Sequence, residues 1–546
     1  MTNLTHDADR TKAAHTAAMD MYYNSKLSAR AAVALFYSLS CELPVKLKSE
    51  VFKELVRARL ITMAGLPSKA ALTARVELQV AIQAAAGCNL LPETVPTNII
   101  TQGHKLIKGS SRLKRETRLA EQTMINTGYK INEVVWAHVL ANPIKWENGD
   151  KAVVSVLHAF VDTTMYFPVS YDYRGRMYYR AGIVTPQGND MLKGLLQFAE
   201  EAPIGRNGRV AIQRALYDAM GIKGSRDAQL AQLEESGLDG ALNGDHGYLA
   251  LQLAAELEDI DQWVSEGNEA ADYLSGVVCH QDATCSGLQI ASAITGHRRT
   301  AEATNCTASH VLDEKQDVYQ LVADELAIHG SMVAHYAATY GRDFVKKAVM
   351  TMGYGAGEAT LVRSCEEWLL MEHNIVHEFT DVETQQLMIA LNEHCGATNA
   401  LKEVLQKVAE GSTDLSWTTH DGFLVKQEKK SGTVETFENV SMEFDKQWDE
   451  SDNICAIAPN FVHSLDAAQM RAAIVRLGDI PVAAIHDSLG TRPCDYFKAA
   501  STVRHAFVDI NSQQIAKEFI NHHDKHLPIL GNYQATEANE SAWFWC

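Results

Sequence analysis

Two short apolar runs, each leading to an aspartate, constrain the fold of this chain more than any other feature. Val277–His280 leads to Asp282, and Pro481–Ile485 leads through His486 to Asp487. Apolar runs of this length are typical of strands, and a strand end is a rigid platform for a functional side chain. Helical patterns fill most of the remaining chain. We therefore expect a largely helical α+β fold, in which helices surround a small sheet with acidic residues at its strand ends.

Length and charge bound the organisation and the partners. The chain has 546 residues and 46% hydrophobic content, which is enough for three or four domains or subdomains. Its net charge of -19 argues against a nucleic-acid partner if only the sum is considered. The distribution matters more, because Lys105–Arg118 is crowded with basic residues while Arg226 and Arg298 have none between them. A basic channel inside an acidic shell fits these facts, although the basic cluster alone is typical of a solvated surface.

The ten cysteines predict neither a disulfide framework nor a zinc site, because no C-x-x-C pair occurs. A reducing compartment fits this usage. The amino-terminal stretch MTNLTHDADR lacks an apolar signal region, and no apolar run is long enough to span a bilayer. We therefore expect a soluble cytoplasmic protein with no membrane partner.

Asp282 and Asp487 are the first candidates for chemistry. Two carboxylates at strand ends can hold two Mg²⁺ ions about 3.5–4 Å apart, one activating an attacking oxygen and one stabilising a leaving oxygen. Mg²⁺ commonly takes one or two carboxylates and completes its shell with substrate phosphates. Aspartates at strand ends also serve as caps and turn formers, so this pattern alone is weak.

A helical segment between the two aspartates adds a second signal. The stretch RDFVKKAVMTMGYG places Arg342, Lys346, Met350 and Tyr354 four residues apart, on one face of a helix. Such a face offers two cations to a triphosphate, then an apolar side chain and a phenol. An ordinary amphipathic helix is the alternative interpretation.

Together these segments resemble motifs A, B and C of the polymerase family that unites the phage and mitochondrial single-subunit RNA polymerases with the family A DNA polymerases. Motif A is DATCSG, motif B is RDFVKKAVMTMGYG and motif C is IHDS. Further strings resemble the phage RNA polymerase branch of that family specifically, and the resemblance covers about residues 120 to 546. These strings are INTGYKIN from Ile125, DYRGR from Asp172, PQGND from Pro186, HDGF from His420, IAPNFVHS from Ile457 and the terminal ESAWFWC.

The resemblance implies a role for each matching residue. Asp282, Asp487 and the backbone carbonyl of Ala283 are expected to bind two Mg²⁺ ions. Arg342 and Lys346 are expected to hold the incoming triphosphate, with Lys346 as the proton donor to pyrophosphate. A looser match gives a triphosphate contact to Lys223. The resemblance assigns nucleic-acid contacts to Arg174, Arg176, Lys193 and His486.

The same resemblance predicts ribonucleotides as substrates. The family A DNA polymerases carry a bulky Glu five residues after the metal aspartate, where this chain has Gly287, and an aromatic residue where it has Met350. Tyr354 and His463 are then placed to recognise the ribose 2′-OH. A site that hydrogen-bonds a hydroxyl strongly rejects an analogue lacking it.

The resemblance also implies a right-hand polymerase fold with palm, fingers and thumb. We expect a helical region over residues 1–120 and a thumb-like helical segment over 121–165. The first part of the palm, with motif A and a helical acidic insertion over 207–271, is expected over 166–300. Fingers with motif B are expected over 301–412. The second part of the palm, with motif C and the carboxy-terminal foot, is expected over 413–546.

Two departures from the family leave initiation open. About 120 residues precede the first motif, fewer than in the phage enzymes, and the counterpart of their specificity hairpin, Lys429–Glu450, is short and acidic. Ser431-Gly432 is the expected turn of that hairpin. The leading interpretation is a viral DNA-directed RNA polymerase, acting in the host cytoplasm on a DNA template, NTPs and an RNA product. The alternatives are a primase-like enzyme on single-stranded DNA and a catalytic subunit that needs a second chain. A single-strand-binding protein is a further candidate partner.

Overall fold

The computed structural model describes residues 115–142, 150–179, 184–222, 246–308, 315–353, 355–437, 440–511, 514–541 and 543–545. Most of these residues are helical, and the strands are short. The helices are α1 Arg115–Asn126, α2 Glu133–Ala141, α3 Asp150–Leu157, α4 Asp190–Leu195, α5 Gly208–Ala219, α6 Gly247–Ser265, α7 Ser286–Thr295, α8 Arg298–Ala303, α9 Val318–Ala327, α10 Met332–Tyr340, α11 Arg342–Gly353, α12 Glu358–His373, α13 Asp381–Ala409, α14 Glu450–Leu477, α15 Tyr496–Ile510 and α16 Gln514–His522.

The strands of the described ranges form small antiparallel sheets. The strands are β1 Tyr129–Ile131, β2 Val169–Tyr171, β3 Met177–Tyr179, β4 Leu196–Phe198, β5 Ala202–Pro203, β6 Leu274–Ser275, β7 Cys279–Asp282, β8 Leu415–Thr418, β9 Leu424–Gln427, β10 Lys430–Phe437, β11 Val440–Trp448, β12 Ala483–Ile485 and β13 Ser488–Thr491. Within these ranges one sheet has three strands, in the order β12-β13-β7, and the others are two-stranded pairs. The predicted largely helical α+β class is therefore confirmed.

The buried apolar residues form separate clusters that show which elements pack together. The largest joins the sheets to α7, α14 and α15 and contains Phe198, Ile290 and Phe461. A second cluster lies among α9 to α13 and contains Phe344 and Leu391. A third packs α5 against α6 beside β7. Apolar burial of this kind is the main favourable term holding such elements together, so the three-stranded sheet is supported from two sides.

Several local predictions can be compared with these elements. The helix predicted from the Arg342 stretch is α11, and the strand predicted over Pro481–Ile485 is β12. The Asp421-Gly422 dipeptide lies in the connection between the paired strands β8 and β9, with Gly422 at a φ of 82°. The turn predicted at Ser431-Gly432 is wrong, because both residues lie inside β10, where the register shifts between Ser431 and Thr433. A bulge accommodates an extra residue without reversing the chain, and a small residue at that point suits either structure. No helix of the described ranges is long and apolar enough to cross a membrane.

Candidate active site

Asp282 and Asp487 meet on the three-stranded sheet. Asp282 is the last residue of β7 and pairs in register with Ser488, the first residue of β13. Asp487 immediately precedes Ser488 in the two-residue turn between β12 and β13. The backbone N–H of Ala283 donates to the Asp487 carbonyl at 3.3 Å. Two carboxylates about 200 residues apart in sequence are thus held side by side by backbone pairing.

The turn that carries Asp487 has an unusual backbone. His486, its first residue, has a φ of 56°, a left-handed conformation that a non-glycine residue rarely adopts. Tight two-residue hairpin turns require such a φ, and strain of this kind persists only where surrounding contacts hold it. Those contacts are present: Gln187 donates from Nε2 to His486 Nε2 at 3.0 Å, and the Tyr178 ring meets the imidazole edge to face at 5.2 Å. The turn therefore fixes where the Asp487 side chain points.

The Asp487 carboxylate is oriented by the start of α7. Ser286 donates from Oγ to Asp487 Oδ2 at 3.0 Å, and Ser286 is the first residue of that helix. A helix N-terminus carries partial positive charge and favours a nearby anion. The hydroxyl of Ser286 and the start of α7 therefore hold the Asp487 carboxylate in place beside motif A.

The surroundings of Asp282 raise the pKa of its carboxyl group. Its side chain reaches solvent, yet the protein packed around it raises its pKa to about 6, and the Asp487 charge adds to the rise. A hydrogen bond from Ser488 and the positive charge of Lys193 act in the opposite direction. A divalent cation bound here would favour the charged form of Asp282 and so offset the effect that raises its pKa.

The donor set fits Mg²⁺ better than a metal that needs a closed protein cage. Among the described residues, no group of three or more His, Cys, Asp or Glu side chains could hold a metal ion. Mg²⁺ keeps several waters and typically binds one or two carboxylates together with substrate phosphates. Asp282 and Asp487 supply that minimum, and Ala283 follows Asp282 at the same strand end.

The carboxy-terminal end of helix α11 lies next to the start of α7, which follows motif A. A Cβ added to Gly353, at the end of α11, would lie 4.0 Å from both Cys285 Sγ and Leu288 Cγ at the start of α7. Lys346 is exposed and makes no hydrogen bond or ion pair with any described residue, and Met350 is 43% exposed. A cation and an apolar side chain are therefore open to a ligand on the helix that abuts motif A.

Arg342, at the other end of α11, is already engaged. Its Nε donates to Asp317 Oδ2 at 2.6 Å, and its guanidinium lies over the Tyr319 ring at 5.2 Å. Lys223, predicted to contact the triphosphate, and Tyr354, predicted to recognise the sugar, lie outside the described residues.

Arg174 and His463 form a hydrogen-bonded pair that fixes the histidine tautomer. Arg174 donates from Nη1 to His463 Nδ1 at 2.8 Å and is also paired with Asp172 at 2.7 Å. Because an arginine can only donate, His463 Nδ1 must accept, and the ring proton then lies on Nε2. Burial, reinforced by the charges of Arg176 and Arg174, lowers the pKa of His463 to about 2, so the ring stays neutral. His463 therefore offers a fixed N–H donor.

Arg176 is directed inward by a carboxylate on the same helix as His463. Its Nη2 donates to Asp466 Oδ2 at 2.6 Å, and both side chains are nearly buried. Burial raises the pKa of Asp466 to about 6, although the Arg176 charge opposes this. Arg174 and Arg176, predicted to contact nucleic acid, are thus both held by ion pairs, and their contact with template or hybrid stays a prediction.

Four of these contacts involve residues for which no role is predicted from the sequence. Ser286 contacts Asp487, Gln187 contacts His486, Asp317 contacts Arg342 and Asp466 contacts Arg176. Asp466 follows His463 by three residues, so helical spacing could have indicated it. Ser286 and Gln187 lie within or beside quoted motifs. Asp317 had no local signal, because its partner is 25 residues away.

Comparisons with known proteins show which family the chain is similar to. Residues 228–542 match the family model described as DNA-dependent RNA polymerase. The chain is 28% identical over 424 residues to the DNA-directed RNA polymerase of Pseudomonas phage phiKMV, covering 67% of this chain and 52% of that protein. It is 27% identical over 442 residues to the mitochondrial DNA-directed RNA polymerase of Schizosaccharomyces pombe, covering 71% and 38%. It is also 27% identical over 431 residues to the chloroplastic DNA-directed RNA polymerase 3 of Nicotiana sylvestris, covering 69% and 44%. The chain thus spans about half, or less, of the length of these relatives.

Proposed function

Because the chain belongs to the DNA-dependent RNA polymerase family, we propose that it copies a DNA template by joining NTPs to an RNA 3′-OH at the site formed by Asp282 and Asp487. The observation that carries the proposal is the strand register that places Asp487 directly before the residue paired with Asp282. Nothing in a purely structural hairpin requires two carboxylates there, and one of them has a pKa raised to about 6. Perturbed carboxylates on a rigid platform favour a catalytic role.

Each side chain has a task in this reaction. Asp282 and Asp487, with the Ala283 carbonyl, would hold two Mg²⁺ ions, which when bound supply activation of the attacking oxygen and stabilisation of the leaving oxygen. Lys346, exposed on α11, binds the triphosphate and gives a proton to the departing pyrophosphate. Arg342 binds the same triphosphate. Most of the rate enhancement comes from this positioning and charge complementarity.

The geometry of His463 supports selection of ribonucleotides. Its Nε2–H is a fixed, neutral donor, since Arg174 occupies Nδ1. Together with the Tyr354 hydroxyl it would bind the ribose 2′-OH, while Gly287 leaves room for that group. A dNTP would leave these polar groups unpaired, which disfavours it.

The apolar clusters support an assignment of subdomains. The cluster among α9 to α13 is a separate packed unit, which we assign to the fingers over residues 301–412. The three-stranded sheet with α14 and α15 we assign to the palm, built from residues 166–300 and 413–546. The segment 121–165 we assign to the thumb and its link to the palm, although its strand β1 pairs with β4 next to the palm core.

Primer extension on a preassembled RNA–DNA scaffold with Mg²⁺ and NTPs tests the proposal, because a scaffold bypasses promoter binding and strand opening. We expect the wild type to extend the RNA and Asp487→Asn to lose activity by more than about 100-fold, since loss of a group that merely orients a metal ligand already causes about 10–100-fold. Asp282→Asn should behave alike.

A matched control is Asp261→Asn on α6, which removes an equal charge from the exposed pair that Asp261 forms with Arg209 on α5. It should extend at the wild-type rate. Undiminished extension by Asp487→Asn, or no extension by a folded wild type on the scaffold, would show that the proposed reaction is wrong.

A further inference from the structure

We infer that Asp317 is a positioning residue that presets the Arg342 guanidinium for the triphosphate of the incoming nucleotide, an inference that rests on the proposed function. The two oxygens of the Asp317 carboxylate bind different partners. Asp317 Oδ1 accepts from the backbone N–H groups of Tyr319 and Gln320 and so caps α9. Asp317 Oδ2 accepts from Arg342 Nε at 2.6 Å. One side chain therefore caps the amino-terminal end of α9 and orients Arg342, the first residue of α11.

The contacts of Arg342 define the orientation of its guanidinium group. Nε is bound by Asp317, one face of the guanidinium lies on the Tyr319 ring, and the backbone N–H of Arg342 donates to Gln320 Oε1 at 3.2 Å. Nη1 has only a looser contact of 3.5 Å with Asp343. A guanidinium held by Nε keeps its terminal nitrogens for a second partner, and a phosphate can bind them in a bidentate manner. A fork oriented in advance loses less side-chain entropy on binding.

Gln316, the residue before Asp317, is connected by hydrogen bonds to the strand end that carries Asp282. Asn305 donates from Nδ2 to the Gln316 carbonyl at 2.9 Å, and the Gln316 N–H donates to Asn305 Oδ1 at 2.8 Å. The Asn305 amide also reaches Thr284 Oγ1 at 3.3 Å, two residues after Asp282. A continuous polar path thus runs from the proposed metal-binding strand end, through Asn305, to the residue before Asp317. Arg342 is therefore fixed relative to the metal side of the site and to α11 at once.

Charge alone does not account for this arrangement. Asp343 lies beside Arg342 in sequence, but it is 62% exposed and 3.5 Å from the nearest guanidinium nitrogen. Asp317 is 28% exposed and lies at hydrogen-bond distance. If the role were only to neutralise Arg342, an adjacent solvent-exposed carboxylate would serve; the capping contact and the path to Thr284 indicate that orientation is the function.

Asp317→Asn isolates the proposed role. Asparagine is as good a helix cap as aspartate, so α9 should be retained, but its amide cannot accept from Arg342 Nε while its oxygen caps the helix. We expect the KM for NTP on the scaffold to rise about tenfold, the low end of the range for charge-assisted hydrogen bonds because the pair is partly exposed. The kcat should change less than about threefold, and the melting temperature should stay near that of the wild type. Asp317→Ser, which also retains a cap, should show the same rise.

A double-mutant cycle with Arg342→Ala separates positioning from general loosening of the fold. If Asp317 acts through Arg342, Asp317→Asn should not raise KM further in the Arg342→Ala background. Additive effects, or an unchanged KM in Asp317→Asn, would overturn the inference. Asp261→Asn, which removes an exposed carboxylate on α6 that pairs with Arg209, serves as the charge-matched control and should shift KM less than twofold.

A binding measurement keeps this inference apart from the proposed reaction. The Kd of ATP is measured in the presence of Mg²⁺ on a scaffold whose RNA ends in a 3′-deoxynucleotide, so that no bond can form. A wild type that binds ATP about tenfold more tightly than Asp317→Asn but extends no RNA would contradict the proposed function and support the role of Asp317. If the wild type extends RNA but its Kd for ATP equals that of Asp317→Asn, the proposed function is supported and the role of Asp317 is contradicted.

Discussion

Arg471 allows the scaffold behind the active site to be tested quantitatively. Its fully buried side chain on α14 donates from Nε to Asp421 Oδ2 at 2.5 Å and from Nη2 to Asp421 Oδ1 at 3.0 Å. Its Nη1 donates to the Gly175 carbonyl, in the turn that carries Arg174 and Arg176. One side chain thus joins the β8–β9 hairpin and the β2–β3 turn to the helix that carries His463. We choose Arg471→Met, which retains an apolar stem and removes the charge and all three bonds.

The expected loss follows from burial. Removing one partner of a buried ion pair typically costs about 3–5 kcal/mol, because the other charge stays buried without compensation. Asp421 retains hydroxyl donors from Thr117 and Thr419, so we expect about 3 kcal/mol. Unfolding entropy of ~2.1 cal/mol/K per residue makes the melting temperature of so long a chain insensitive, with a shift of only ~3 °C. Urea denaturation, followed by circular dichroism and tryptophan fluorescence, is therefore the better assay.

The pH dependence gives the sharper signature. Burial alone would raise the pKa of Asp421, but the charge and hydrogen bonds of Arg471 hold it below its ordinary value. In the wild type this contribution is present above the unfolded pKa and is lost only as pH falls through the lower folded-state pKa. In Arg471→Met the positive charge that opposes the effect of burial is missing, so the pKa of Asp421 rises. Protonation of Asp421 then removes the uncompensated buried charge. The difference in free energy of unfolding between the two proteins should therefore shrink from pH 7 to pH 5.

The matched control is Arg476→Met, on the same helix, whose pair with Asp509 is exposed. An exposed pair contributes about 0–1 kcal/mol. A loss below about 1 kcal/mol for Arg471→Met, or a loss that does not change with pH, would refute the reasoning.

Three further results are expected. Ser286→Ala removes the hydroxyl that orients Asp487, so the Mg²⁺ concentration for half-maximal extension should rise about tenfold, whereas Ser292→Ala on the same helix should not change it. Tyr354→Phe and His463→Ala should each reduce the preference for NTPs over dNTPs in single-nucleotide extension, and an unchanged preference in both would contradict the proposed sugar recognition. Scaffold affinity should fall steeply as salt rises from 50 to 200 mM, since phosphate contacts release counterions; a flat response in a filter-binding titration would argue against a nucleic-acid channel.

The sequence predicted best those features that local pattern determines. The α11 helix and the β12 strand were placed to within a few residues because their periodicity and length are distinctive. The adjacency of Asp282 and Asp487 could be expected from the family resemblance, but the antiparallel register that produces it depends on which strands pair, and pairing is not local information. The turn placed at Ser431-Gly432 failed for the same reason, since a bulge and a turn share small residues.

Long-range polar partners were beyond sequence reasoning. Asp421 and Arg471 are 50 residues apart, and Gly175 is 296 residues from Arg471. Arg174 and Arg176 were predicted as contacts for nucleic acid from the matched string alone, which could not reveal that Asp172 and Asp466 already pair with them. Cation type and position are readable from a motif, whereas the carboxylates that orient the cations belong to other elements.

The pairing of β7 with β13 has a consequence for how the protein is made. The bond between Ser286 and Asp487 joins residues 201 positions apart, so at about 5–20 residues per second a ribosome needs roughly 10–40 s to supply the partner of β7. During that interval β7 is an unpaired edge whose backbone groups can pair with another nascent chain. Slowing elongation between the two segments should therefore increase aggregation during synthesis, while leaving the finished protein unchanged.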